Sequence, residues 1–160
     1  MKILAPFALC AMLLPGCGAK LTVEQQIIAT LHSMEEAAEN GQHFEFIGYV
    51  ADSFSGQKGS MDRREFHRFM IFQINQNRRL YAQFLPIHVQ ETGEAQASAQ
   101  FRILVTGGGG LVPERGQLFE VETRWLRNGS DWLLITADWV PVYLDEVISS
   151  SCGLAGGNVV

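Results

Sequence analysis

Four side chains in this 160-residue sequence have the chemistry to exchange protons or hold a charge in an apolar setting: Asp52, His67, His88 and Asp138. A carboxylate accepts a proton, and an imidazole gives or takes one near neutral pH. Asp52 lies in Val50-Ala51-Asp52-Ser53-Phe54-Ser55-Gly56, where an Asp among small polar residues more simply stabilises a turn. His67 follows Phe66 in a stretch with helical periodicity, so it borders the core and faces a cavity or water. Asp138 interrupts the otherwise apolar run from Trp132 to Val140. Strand alternation sends it to the exposed face with Thr136, unless a pocket needs it. His32, Glu35, Glu36 and Glu39 share the polar side of one helix and read as solvated surface. No His, Cys or carboxylate spacing has the form of a metal site, and no motif asks for a cofactor.

A different kind of chemistry is set up at the start of the chain. Lys2 supplies a positive residue, Ile3 to Leu14 an apolar run, and Gly16 a small residue before Cys17. This is the layout of an export signal. A dozen helical residues rise about 18 Å, short of the ~30 Å hydrocarbon core of a bilayer. Leu14-Pro15-Gly16-Cys17 resembles the lipobox of bacterial lipoproteins, with Pro15 in place of the usual Ala or Ser. The resemblance implies cleavage before Cys17, lipidation of that cysteine, and attachment to a membrane of the bacterial cell envelope. In a Gram-negative cell that is the periplasmic face of the outer membrane. Cys10 then leaves with the signal and Cys152 is the one unmodified thiol, so an intramolecular disulfide is not expected.

Residues 1–16 are therefore expected to be a signal peptide, 17–21 a lipidated start and short tether, 22–143 one domain, and 144–160 a flexible Ser- and Gly-rich tail. The net charge of -5 argues against nucleic acid as a partner, because phosphate binding needs clustered Lys and Arg. Arg63-Arg64 and Arg78-Arg79 flank one helix and read as its solvated ends.

The elements that must position these residues follow from hydrophobic spacing. Thr22-Val23-Glu24-Gln25 has the form of a capping box. Val23, Ile27, Ile28, Leu31, Met34 and Ala38 then recur at helical spacing, with Asn40-Gly41 as a stop. A short second helix over Phe44 to Val50 is followed by a turn at Asp52 to Gly56, and a third helix runs from Ser60 or Asp62 to about Asn77. The period then changes to two. Leu85, Ile87 and Val89 alternate, as do Ala95, Ala97, Ala99, Phe101, Ile103 and Val105. The glycines of TGGGGLVPERG lack a phosphate-binding ending and read as a hairpin connection. Leu118 to Arg127 forms a third strand with Phe119, Val121 and Trp125 on one face and Glu120, Glu122 and Arg124 on the other. Asn128-Gly129 turns the chain into a fourth, Trp132 to Val140. Helices followed by long antiparallel strands predict an α+β domain with N-terminal helices packed on a strongly curved antiparallel sheet.

Several landmarks carry a wider resemblance. They are the first helix, Val50-Ala51-Asp52-Ser53-Phe54 with Gly56 and Gly59, the Asp62-Arg63-Arg64-Glu65-Phe66 helix start, and the final hairpin from Trp125 through Asn128-Gly129 to Trp139. Together they resemble the nuclear transport factor 2-like superfamily, which includes ketosteroid isomerase and polyketide-cyclase-like proteins, over roughly residues 21–143. The resemblance implies a cone-shaped, cystatin-like roll whose pocket serves catalysis in some members and ligand or protein binding in others. Isomerases of that kind place a carboxylate base and a hydrogen-bond donor in an apolar cavity. This chain has no Tyr on its first helix to be that donor, and no Asp-Arg-Asp set like that of the epoxide-hydrolase relatives. The reading is thus an exported, lipid-anchored, non-enzymatic module that binds a small apolar ligand or an envelope protein, with a homodimer through the sheet as one form. The alternative is an isomerase, cyclase or hydrolase using Asp52, His67 or Asp138 as acid or base. A cone filled by Phe and Trp favours the first reading, and an enclosed pocket with convergent polar groups favours the second.

Overall fold

The computed structural model describes residues 20–76, 80–107 and 115–143. The segment expected to be a signal peptide, Cys17, most of the glycine-rich connection and the tail with Cys152 lie outside the described residues. Among the described residues, no helix is long and apolar enough to cross a membrane.

Helix α1 spans Val23–Glu39 and starts as its sequence dictates. Thr22 Oγ1 accepts from the Gln25 amide at 3.2 Å, and Gln25 Oε1 accepts from the Thr22 amide at 3.0 Å. Two backbone donors that the helix leaves free are thereby satisfied. Helix α2 covers His43–Gly48 and α3 covers Arg63–Gln76. Ile27, Leu31 and Met34 of α1, Phe46 and Ile47 of α2 and Phe66 of α3 turn their apolar faces into one core.

Seven strands form the sheet: β1 Val50–Gly56, β2 Met61–Asp62, β3 Leu80–Phe84, β4 His88–Gly93, β5 Gln96–Gly107, β6 Arg115–Asn128 and β7 Asp131–Val142. Their order is β2-β1-β7-β6-β5-β3, with β4 also paired to β5. The architecture is the expected α+β roll, but the sheet is mixed because β1 runs parallel to β7. The expected turn at Asp52 to Gly56 is in fact strand β1. Val50, Ala51 and Phe54 are buried and hold the segment extended against the core. The polar cue marks a real irregularity, since the β1/β7 register shifts between Val50 and Ser55 and leaves Asp52 and Ser53 exposed. Gly56 is needed where the layers close, because a Cβ there would lie 3.0 Å from the Phe54 ring and 3.2 Å from the Ala137 carbonyl oxygen.

Two boundaries also move. The second helix stops at Gly48, and the strand expected at Leu85 to Val89 falls largely on the break at Leu85-Pro86-Ile87, with only His88 and Val89 in β4, while β3 at Leu80–Phe84 was not expected. Proline has no N–H to give to a ladder, so pairing breaks there. The three long strands β5, β6 and β7 fall where alternation placed them; β6 and β7 are longer at both ends, and β5 starts one residue later, at Gln96, and runs on to Gly107.

Cross-strand pairing sorts the sheet into two faces. Ala97 pairs with Trp125, and Thr123 lies between Ala99 and Ala137, all facing the helices. Small residues on β5 and β7 therefore make room for the indole of Trp125. On the outer face, Gln100, Glu122 and Asp138 form one row, Arg102, Glu120 and Val140 the next, and Leu104, Leu118 and Val142 a third. Glu120, Glu122 and Arg124 are exposed, as their alternation requires.

Candidate functional site

Side chains fill the space between the helices and the sheet. Trp125 and Ile27 are 0% exposed, and Trp132, Phe54, Phe66 and Phe101 are buried around them in the same cluster. Phe54 stacks on Phe66 with centroids 4.7 Å apart, and Phe84 meets Phe101 edge-on at 5.0 Å. The polar atoms inside are matched to one another. Trp125 Nε1 donates to Thr123 Oγ1 at 2.9 Å, and that hydroxyl donates to the Ala99 carbonyl at 3.0 Å. Trp132 Nε1 donates to Gln26 Oε1 at 2.9 Å. Among the described residues, no buried side-chain nitrogen or oxygen lacks a partner. An unmatched polar group aimed into a pocket is what a substrate-orienting site normally shows.

Asp138 has a structural task outside this core. Its Cα pairs with that of Glu122 on the outer row, and its carboxylate accepts from the Lys58 amide. Gln57, Lys58 and Gly59 have φ of 49°, 56° and 90°, a left-handed run that is costly for the two non-glycine residues. Gln57 Nε2 donates to the Trp139 carbonyl at 3.1 Å. Asp138 and the Trp139 backbone thus clamp the turn between β1 and β2 against β7. His88 is exposed on the outer side of β4, paired with Gln100, and joins no cluster.

Asp52 and His67 do come together. With Asp62, Arg63 and Arg64 they line a surface groove of about 320 Å³ at the junction of β1 and α3. The Asp52 side chain is 101% exposed and sits 3.7 Å from Arg63. It has no apolar wall to exclude water, which an isomerase-type base requires. The expectation that Arg63-Arg64 is merely a solvated helix end holds for Arg64 and fails for Arg63. Arg63 Nε donates to the Val50 carbonyl at 3.0 Å and Nη2 to the Ile47 carbonyl at 2.9 Å. The guanidinium therefore closes the end of α2 and the entry to β1, and this is why it is half-buried.

The unexpected member of the group is His43, the first residue of α2. Its Nδ1 lies 3.3 Å from His67 Nε2, and the Phe44 ring covers both imidazoles at centroid distances of 4.3 and 5.6 Å. Burial lowers the proton affinity of His67 below the usual histidine value, and the neighbouring His43 ring and Arg63 guanidinium add to the effect. No local signal could have revealed the pair, because 24 residues separate the two rings in the chain.

The fold is a cystatin-like α+β roll, similar to solved structures that include nuclear transport factor 2-like proteins. An uncharacterised protein with a cystatin-like fold from Caulobacter vibrioides superposes with a TM-score of 0.66 at 10% identity, covering 79% of this chain and 94% of that one. A provisional dehydratase of the nuclear transport factor 2-like family from Streptomyces avermitilis gives 0.63 at 18% identity, covering 74% and 95%. Bd1075 of Bdellovibrio bacteriovorus gives 0.64 at 10% identity over 74% of this chain, but the match spans 41% of that longer protein. No protein-family model and no curated protein matches the sequence.

Proposed function

We propose that the chain is an exported, lipid-anchored binding module without enzymatic activity, and that it binds through the outer face of its sheet. The observation that carries this reading is the filled cone, with Trp125 fully buried and its indole N–H bonded to Thr123. A small apolar ligand has no room there without displacing aromatic core. The dehydratase reading of a structural relative does not transfer, because the proton-transfer candidates lie on the surface and Asp138 is engaged in a turn.

The partner we favour is a second copy of the chain. On the outer face the apolar row Leu104, Leu118 and Val142 adjoins the row Arg102, Glu120 and Val140, with Val140 55% exposed. Arg102 and Glu120 stand side by side, so two copies related by a two-fold axis bring each charge to its opposite. The three long strands β5, β6 and β7, each about 40 Å long and ~4.8 Å apart, present on the order of 600 Å², a little under the ~800 Å² that one partner usually contributes to a stable interface.

Native mass spectrometry of the protein taken gently from its natural envelope tests both parts. The expected result is a dimer free of small-molecule adducts, which Leu118→Asp converts to a folded monomer. A reproducible adduct, or a complex with a different protein on this face, overturns the proposed occupant. The anchor rests on Lys2, the apolar run and Leu14-Pro15-Gly16-Cys17. Cys17→Ala is expected to leave an unprocessed, unlipidated precursor, and normal processing to a released soluble form would favour ordinary secretion.

A further inference from the structure

The two imidazoles under Phe44 belong to neither the packed interior nor the outer sheet. Their nitrogens are 3.3 Å apart, longer than the ~2.9–3.0 Å typical of an N–H hydrogen bond to a strong acceptor. Two nitrogens each 2.0–2.1 Å from one tetrahedral ion are separated by about 3.3 Å. The separation, which also allows a long hydrogen bond between the rings, suits two ligands on a single cation.

We infer that His43 Nδ1 and His67 Nε2 form a two-imidazole site for a borderline first-row divalent cation, binding Cu²⁺ most tightly and Zn²⁺ next. The rings come from different helices, α2 and α3, and both are half-buried, so each is held by its own element. Phe44, itself 75% exposed, lies against the pair and covers it on one side. His67 also lines the groove with Asp52, Asp62, Arg63 and Arg64. Asp62 Oδ1 already accepts from the Glu65 amide at 2.7 Å, so Asp52 is the carboxylate nearer to being free to offset an added charge. Water supplies the remaining positions.

The choice of metal follows from the neighbours. Arg63 lines the same groove and repels any cation, so a hard ion held mainly by charge gains little. An ion that forms strong bonds to neutral imidazole gains most, and the affinity of such ligands rises along the divalent series to Cu²⁺. Among the described residues there is no cluster of three or more His, Cys, Asp or Glu side chains placed to hold a metal. The site is accordingly open, with exchangeable positions rather than a closed cage.

The test is Cu²⁺ titration of the untagged full chain in detergent, with its thiols alkylated, followed by calorimetry and electron paramagnetic resonance. One equivalent bound through two equatorial nitrogens is expected, with Zn²⁺ competing and Mg²⁺ and Ca²⁺ not. His43→Ala and His67→Ala should each weaken binding at least tenfold and leave one nitrogen coupling. His32→Ala with His88→Ala, which removes the other two histidines, should leave the affinity unchanged. Circular dichroism of each variant separates lost binding from lost fold. Undiminished binding in either single variant, or no stoichiometric binding by the parent chain, overturns the site and leaves an ordinary pair of contacting rings.

Discussion

The inside of the cone and the groove between α2, β1 and α3 treat polar groups in opposite ways. Inside, the polar atoms of four side chains, Thr123, Gln26, Trp125 and Trp132, are consumed in matching one another and the Ala99 carbonyl. In the groove, Asp52 extends into water, and His67, which lines it, meets the His43 ring at 3.3 Å. Aromatic side chains fill the interior, while Asp52 and His67 line a groove at the surface, where water is not excluded.

The sharpest way to break this contrast is to empty the interior. Trp125→Ala removes the largest fully buried side chain, and deletion of a core Trp typically costs about 3–5 kcal/mol through lost burial and the remaining cavity. Urea denaturation should show that loss, and the vacated space should take up a small aromatic probe that the parent chain excludes. A loss below about 1 kcal/mol would mean that the core is not packed as described.

Much of this architecture is legible from spacing alone, and the exceptions share a cause. The Thr22 cap, the stripe of α1 and the alternation of β5, β6 and β7 are local patterns, and each corresponds to an observed element. Strand β1 was masked because Asp52, Ser53 and Ser55 look like turn residues, whereas its extended form depends on β7, some 80 residues away in the chain. Arg63 looks solvated until the carbonyls of Ile47 and Val50 are brought to it. Whether a cone is open or filled is equally invisible to periodicity, since the same apolar positions line a pocket or close it. Only the pairing of Trp125 with Ala97, and of Thr123 with Ala99 and Ala137, decides it.

A smaller loss is expected at the Asp138 clamp. Asp138→Ala frees the Lys58 amide and leaves a left-handed backbone unsupported, for a cost of about 1–2 kcal/mol. Lys58→Gly in that background should recover part of it, because glycine occupies positive φ without a Cβ penalty. Thermal melts of the single and double variants measure both terms. If Asp138 instead served a proton-transfer site, Asp138→Ala would leave stability unchanged and Lys58→Gly would rescue nothing.

The smallest effect concerns pH and separates the two regions most cleanly. His67 is held neutral by burial, with His43 and Arg63 opposing a second positive charge nearby. A histidine whose proton affinity is lower in the folded chain than in the unfolded one binds fewer protons when folded, so stability rises with pH across that interval. Its contribution is complete above the ordinary histidine value of about 6.5 and is lost as pH falls through the lower value of the folded state. Asp52 and Asp62 line the same groove and soften the effect. Denaturation midpoints measured between pH 7.5 and 5.5 should therefore fall modestly for the parent chain and less for His67→Asn, while Trp125→Ala keeps the parent slope from a lower starting stability. Equal slopes for the parent and His67→Asn would remove His67 as the source and assign the dependence to other titrating groups.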